Sequence, residues 1–402
     1  MRTTRPVDED FSMNDTTTSL ELNDTQVEEL KRTMKPLADA HTLPPWCYTS
    51  ESFYRAEVRD IFMKEWLGVC RVDDIPNPGD YFCADIAQEP IVIVRDKQTT
   101  VRAFTRTCRH RGACVVEGRG NARFFRCPFH GWTYDLRGRL IAARQMDKTT
   151  GFDPGEWPLL ALRVEIWQGV VFVNFDPDAE ALTPRLTGAS EALANYRLEE
   201  LRASEQMPFW SQCNWKLTTE QAMDMYHVPD THFMPKSSSR VAKNFVHEDS
   251  NDVWSLSYSP LERMHPYITA TNQNKTDFPA ISTLNDFELS TFNLLLIYPS
   301  TIIGVLPHGA LTFFIWPEGI GRTKVTLDLW FTEEGFAMDN YPHALQAAQE
   351  GFITTNNQDM HSARITQRGM QSRQLAPGRF SFLEEATWEL DRYVIRRVAG
   401  LI

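Results

Sequence analysis

Two short segments limit this chain more than any other feature: Cys108-Arg-His110 and, sixteen residues on, Cys127-Pro-Phe-His130. Each supplies one thiolate and one imidazole. A structural zinc site usually has its two cysteines close together and then its histidines, in C-x-x-C and H-x-x-x-H spacing. A Cys–His pair repeated on two turn-like loops suits instead a [2Fe–2S] cluster, with two thiolates on one iron and two imidazoles on the other. Exchanging two anionic thiolates for neutral imidazoles lowers the negative charge and raises the reduction potential. A zinc-binding interaction module is the alternative, and colour separates the two, brown protein against colourless.

The full pattern, C-x-H-x16-C-x-x-H continued by GWTYDLRGRL, resembles the Rieske motif, with Pro128 after the second Cys and Gly131-Trp132 after the second His. High-potential respiratory Rieske proteins carry two further cysteines, one per ligand loop, joined as a disulfide. Phe129 stands at the second of those places here, and Cys114 has no partner nearby. The resemblance therefore implies a lower-potential centre of the kind found in oxygenases and their ferredoxins. Ten arginines but only two acids, Glu117 and Asp135, lie between Arg102 and Arg144, in a chain whose net charge is −12. Such a patch could steer an acidic electron donor, or simply balance an anionic cluster with solvated loop arginines.

A second constellation follows in NWKLTTEQAMDMYHVPDTH. With Thr219–Tyr226 read as helix, Asp224 and His227, three apart, share a face. His232 comes five residues after His227, about 140° round an ideal helix. The imidazoles converge only where the helix is broken or bulged, and Pro229 supplies a reason.

A chain with a Rieske pattern followed by D-x-x-H-x-x-x-x-H resembles the terminal oxygenase component of the Rieske non-haem iron oxygenases, over nearly all of its length beyond residue 40. The resemblance implies a 2-His-1-carboxylate site for mononuclear Fe(II), with open positions for O2. Its ligands would be His227, His232 and Asp359, the last from NNQDMHSARITQRGMQS, whose Asp-to-Gln-Arg-Gly spacing is similar to the family's; His361 is the rival. Asp224 falls at the family's bridging carboxylate, which links a Rieske histidine to a triad histidine of the next subunit in a head-to-tail trimer. By that analogy Asp224 contacts His130 of a neighbour and His227 of its own chain. At Gln221 the family often has Asn.

The resemblance also implies electrons from a separate reductase or ferredoxin, a homotrimer with or without a small β subunit, and a small organic substrate oxidised with O2. The absence of a P-loop, a dinucleotide fingerprint and a second cysteine cluster agrees with a separate donor. The C-terminal pattern is similar to a branch holding choline and glycine-betaine oxygenases, N-demethylases and aromatic oxygenases. An aromatic or N-alkyl substrate is the expectation, with a quaternary amine as the alternative and a pure electron-transfer Rieske protein as a remote one. Pocket candidates are Met223, Met234, Leu294–Ile297, Ile302–Leu306 and Phe313–Trp316. A quaternary ammonium would need an aromatic cage, for which Trp210, Trp215, Tyr298, Trp316 and Trp330 are available.

The rest of the chain agrees with this frame. Its 402 residues, 42% hydrophobic and 23% charged, suggest two domains with a sizeable core. The acidic balance argues against nucleic-acid binding. The longest apolar stretch, Phe292 to Leu306, is interrupted and too short for a bilayer. The start, MRTTRPVDEDFS, has no signal-peptide core, so a cytoplasmic protein is expected. Seven irregularly spaced cysteines do not make a disulfide framework, and Cys47, Cys70, Cys83, Cys114 and Cys213 read as buried apolar residues.

The expected fold is α+β. A tail and helix (1–45) pack on the catalytic domain and precede a small antiparallel β domain (46–175). A larger domain (176–402) follows, with a central antiparallel sheet flanked by helices. Within this frame, 26–40 reads as helix ending near Pro36, 164–175 as one strand-like run, and 176–188 as a linker. Residues 323–331 read as a half-buried strand, and 340–366 and 384–399 as helices.

Overall fold

The computed structural model describes residues 20–232, 246–261 and 278–401. Two antiparallel sheets dominate an α+β chain. The first contains β1 (Leu67–Arg71), β2 (Asp80–Ile86), β3 (Glu89–Arg95), β4 (Val101–Thr105) and β5 (Arg119–Asn121), together with β9 (Ala161–Trp167) and β10 (Val170–Asn174). Their order is β1-β10-β9-β4-β3-β2-β5. A three-stranded appendage, β6 (Phe125–Arg126), β7 (Thr133–Tyr134) and β8 (Leu140–Ala142), stands beside it.

The second sheet is built from β11 (Arg202–Ala203), β12 (Met207–Ser211), β13 (Val246–Ser250), β14 (Trp254–Pro260), β15 (Thr291–Ile297), β16 (Thr301–Leu306), β17 (Gly309–Gly319) and β18 (Arg322–Phe331). The order is β11-β18-β17-β16-β15-β14-β13, with β12 also pairing β18.

Three segments depart from the sequence pattern for local reasons. The run 164–175 is two strands, cut by a two-residue hairpin at Gln168 (φ 50°) and Gly169 (φ 77°), the left-handed pair that such a turn requires. The stretch 176–188 is not a free linker. The Glu165 carboxylate accepts from the Leu182 and Thr183 backbone N–H groups at 3.0 and 2.9 Å, and Leu182 and Leu186 are buried. β18 is buried on both faces rather than one. Val325 faces the helices, while Asp328 meets Gln206 at 3.4 Å and Trp330 lies 4.0 Å beneath the Arg71 guanidinium on the opposite side.

Close packing of the two sheets explains that second buried face. Gly68 of β1 donates to Thr301 Oγ1 at 3.0 Å and its carbonyl accepts from Trp316 Nε1 at 3.1 Å. A Cβ at Gly68 would stand 2.6 Å from that hydroxyl, so only glycine fits. One apolar core runs from the first sheet through the second, and a separate small one surrounds the β6–β8 appendage.

The helices frame the far face. α1 (Asp24–Thr33) carries an Asn23/Gln26 capping box and stops before Pro36, shorter than its apolar spacing suggests. It docks on the C-terminal α6 (Glu385–Ala399), where Trp388 Nε1 donates to the Thr33 carbonyl at 3.1 Å. α2 (Glu51–Glu57) lies under α3 (Trp215–Met223), joined to it by the buried pair Glu57–Lys216 at 2.5 Å. α4 (Val228–Thr231) is a single turn and α5 (Tyr341–Met370) runs for 30 residues. Cys47, Cys70 and Cys213 are buried as expected, but Cys83 and Cys114 are only half-buried, in the thin shell near the appendage. Among the described residues no helix is long and apolar enough to cross a membrane.

Two candidate metal centres

The two Cys–His segments are the same turn made twice. In the first, the Cys108 N–H donates to the Ala113 carbonyl at 2.9 Å and the Gly112 N–H returns to the Cys108 carbonyl at 3.0 Å. In the second, Cys127 N–H reaches the Trp132 carbonyl at 2.8 Å and Gly131 N–H the Cys127 carbonyl at 3.0 Å. Each loop therefore needs a glycine four residues after its cysteine, at φ 77° and 74°. The repeated C-x-x-x-G was present in the sequence, and its first copy, through Gly112, is a signal the ligand spacing alone does not use.

This geometry puts both thiols inside and both imidazoles outside. Cys108 and Cys127 are 2% exposed, whereas His110 and His130 are exposed, with ring centroids 4.7 Å apart. His110 stacks on Trp132 at 4.9 Å, and Phe129 packs on His130 at 3.9 Å. Tyr134 OH lies 3.4 Å from Cys108 Sγ and accepts from the Arg109 N–H at 3.1 Å, which leaves its proton free to point at sulfur. Burial pushes the Cys108 thiol up, and the neighbouring Cys127 adds to the rise. Two crowded thiols at the base and two imidazoles at the rim fit a cluster that brings its own positive charge.

Four of the ten arginines of the patch are paired with acids outside the two Cys–His segments. Arg102, Arg106, Arg119 and Arg139 are tied to Asp96, Asp85, Asp74 and Asp135 at 2.7, 2.6, 3.7 and 2.6 Å. Arg111 and Arg109 lie beside the ligand loops, over Phe129 and Trp157.

The second centre forms where α3 ends. Asp224 is not on a helix with His227, as the three-residue spacing suggested. Its backbone is extended (φ −82°, ψ 119°), and its Oδ1 accepts from the Tyr226 N–H at 2.5 Å. That side-chain turn competes with the helix and ends it. The other carboxylate oxygen comes back to His227 Nδ1 at 3.2 Å. The helix break thus lies upstream of His227 and not at Pro229, which sits in the first turn of α4, where proline is tolerated. His227 and His232 flank that turn, with ring centroids 5.3 Å apart.

α5 brings Asp359 opposite them, its Oδ1 at 3.3 Å from Nε2 of His227 and 3.3 Å from Nε2 of His232. One ligand atom from each of the three lies within 4.8 Å of the others. The rival His361 is exposed and has Arg364 as its neighbour at 3.3 Å. Gln221 Nε2 donates to Asp359 Oδ1 at 3.3 Å, and Gln358 Oε1 lies 2.8 Å from His232 Nδ1. Gln358 had no signal in the sequence beyond adjacency to Asp359.

Burial alone would lower the His227 pKa, but the Asp224 and Asp359 carboxylates raise it to about 9. Its ring lies between two carboxylates, Asp224 at Nδ1 and Asp359 at the buried Nε2. An environment that favours positive charge at this point suits a cation, and a two-imidazole, one-carboxylate donor set suits ferrous iron.

A cavity of about 110 Å3 opens on these three side chains. Phe292, Phe313 and Phe352 supply its rings. Of the expected pocket residues, Leu294, Phe313 and Ile315 line it. Met223, Leu295–Ile297, Ile302–Leu306, Phe314 and Trp316 are not among the lining residues; of these, Leu295, Ile297, Ile303, Val305, Phe314 and Trp316 stand on the opposite face of the sheet from Leu294 and Phe313. Met234 lies outside the described residues.

The five cage candidates are also spent elsewhere. Trp215 donates to Glu57, Tyr298 stacks on Tyr393, Trp316 and Trp330 pack against the first sheet, and Trp210 is bonded to Glu318 at 3.3 Å. Among the described lining residues there is no lysine or arginine.

Comparison with known proteins places these features. Residues 196–400 match the catalytic domain of the ring hydroxylating alpha subunit and residues 65–159 the Rieske [2Fe-2S] domain. The carnitine monooxygenase oxygenase subunit of Escherichia coli K12 is 26% identical over 343 residues, 83% of this chain and 86% of that protein. The benzene 1,2-dioxygenase alpha subunit of Pseudomonas putida is 35% identical over 200 residues, 48% of this chain and 44% of its own length. The structure of the quaternary ammonium Rieske monooxygenase CntA with L-carnitine superposes with a TM-score of 0.76 at 25% identity, covering 92% of this chain and 98% of that one.

Proposed function

The chain belongs to the Rieske ring-hydroxylating oxygenases, as an alpha subunit with a [2Fe–2S] domain and an iron-binding catalytic domain, and on that premise we propose that it oxygenates a small, uncharged aromatic or N-alkyl compound. The cavity carries this reading. Phenylalanine and aliphatic side chains make up most of its wall, with Ser211, Thr218, Gln221, Thr355 and Asn356 as neutral polar members, and its volume is of the order of the ~150 Å3 cavity that holds a benzene ring. A zwitterion such as carnitine would bury a carboxylate there with no lysine or arginine among the described lining residues to meet it, which is costly.

In this reading Cys108, Cys127, His110 and His130 hold the cluster, and His227, His232 and Asp359 hold the iron. The tail (1–45), cluster domain (46–175) and catalytic domain (176–402) are its working parts. Ferrous iron bound there supplies the open positions at which O2 is activated with electrons from the cluster.

The protein's own residues do the rest. Asp224 accepts the Nδ1 proton of His227 and so directs the Nε2 lone pair inward. The phenylalanine walls orient the substrate and exclude water. A separate reductase or ferredoxin supplies electrons to the exposed edge at His110 and His130.

A head-to-tail homotrimer completes the path, with Asp224 of one subunit against His130 of the next. Both ends carry exposed apolar surface suited to burial, with Phe129 55% and Tyr226 53% exposed. The reading places the protein in the cytoplasm.

A quaternary amine is the second reading, favoured by the match to carnitine monooxygenase over most of the chain. Competitive turnover separates the two, with the protein, a reductase and an equimolar mixture of single-ring, N-methyl and betaine-type compounds. Neutral products are expected. Product from the betaine class alone would overturn the cavity argument in favour of the second reading.

A further inference from the structure

The His232 ring is gripped at both nitrogens by consecutive residues of one helix. Gln358 Oε1 sits 2.8 Å from Nδ1, and Asp359 Oδ1 sits 3.3 Å from Nε2. Neighbouring positions on an α-helix project about 100° apart, so one turn of α5 can approach an imidazole from two edges. α5 is continuous for 30 residues, and this places the two contacts on one rigid body.

We infer that Gln358 is the positioning residue for His232. By accepting a proton on Nδ1 it fixes the tautomer whose Nε2 lone pair faces Asp359, and it sets the plane of the ring. The inference rests on the reading of His227, His232 and Asp359 as the iron site.

The two histidines are then held differently. His227 leans on an anionic partner, Asp224, at 3.2 Å, and His232 on a neutral amide. The anionic acceptor makes His227 the more basic donor. Gln221 performs the matching task for the carboxylate, donating to Asp359 Oδ1 at 3.3 Å.

Fe(II) affinity tests this without any turnover. Chelator competition is run on wild type, Gln358→Leu, Gln358→Glu and Asp359→Ala, with the visible spectrum of the Co(II)-substituted site as a second readout. Leucine fills similar space but cannot accept a hydrogen bond, whereas glutamate can. Gln358→Leu should bind Fe(II) about 10–100-fold more weakly, with an altered Co(II) spectrum and an unchanged cluster spectrum. Gln358→Glu should stay close to wild type.

If Asp359→Ala loses the metal but Gln358→Leu binds it like wild type, the positioning role is wrong and the site stands. If Gln358→Leu and Gln358→Glu lose it equally, packing of α5 rather than the hydrogen bond is responsible, and the inference fails. If Asp359→Ala binds Fe(II) as wild type does, the iron-site reading itself fails and takes the inference with it.

Discussion

The cluster loops and the iron site are built on opposite plans. The four proposed cluster ligands come from one stretch, Cys108 to His130, and are set by backbone turns with their own small core. The proposed iron ligands come from the two ends of α4 and the middle of α5, and are set by side chains, with Asp224, Gln358 and Gln221 each holding one of them. The cluster edge is exposed, as suits a centre that must meet partners. The iron site is walled by apolar rings, as suits chemistry that must exclude water. A locally coded site should tolerate changes elsewhere, whereas an assembled one depends on the sheet and two helices keeping their places.

If the two regions are independent in this sense, they should fail separately. Asp359→Ala is the largest effect expected. Product formation disappears and iron falls from about three to about two per chain, while the brown chromophore stays. Cys127→Ser should do the reverse, bleaching the chromophore and leaving about one iron. Loss of both metals in either variant, read by iron analysis and absorption, would break the comparison.

Asp224→Asn should come next. It keeps both metals and lowers turnover about 10–100-fold, because the partner that orients His227 becomes a neutral amide. Tyr134→Phe should leave turnover chemistry intact and lower the cluster's reduction potential by tens of millivolts, at about 59 mV per tenfold change in a one-electron equilibrium. The lost hydroxyl donor to Cys108 had stabilised the more negative, reduced state. Potentiometry with optical detection reads it.

The smallest effect should be Gly112→Ala. No atom stands within 4 Å of the added Cβ, so only the left-handed backbone at φ 77° opposes it, at about 1–2 kcal/mol. Thermal unfolding should shift by a few degrees without loss of the chromophore.

The same contrast explains what could be read from the sequence. The cluster pattern was legible because its ligands are neighbours in the chain and their turns are local. The long helix, read as 340–366 and found as Tyr341–Met370, and the presence of a strand at 323–331 were legible for the same reason. Other features depended on distant contacts. The end of α3 at Met223 follows from Asp224 bonding to Tyr226, a choice that helical spacing does not reveal.

Both faces of β18 are buried because the first sheet covers one of them, which alternation within the strand cannot show. Tryptophans that looked free to form a cage were committed to interfaces between elements. Gln358 carries no pattern at all, since its role exists only once α5 meets His232.

In the proposed function the two centres act together on a substrate held in the largely apolar cavity. A single turnover with 18O2 separates that from independent operation. The iron-loaded protein is reduced chemically, freed of reductant, and given oxygen and the compound preferred in the competition assay. Product carrying 18O, formed as the cluster reoxidises, is expected in wild type but not in Asp359→Ala. Cluster reoxidation in wild type without labelled product, in a protein holding its full iron, would contradict it.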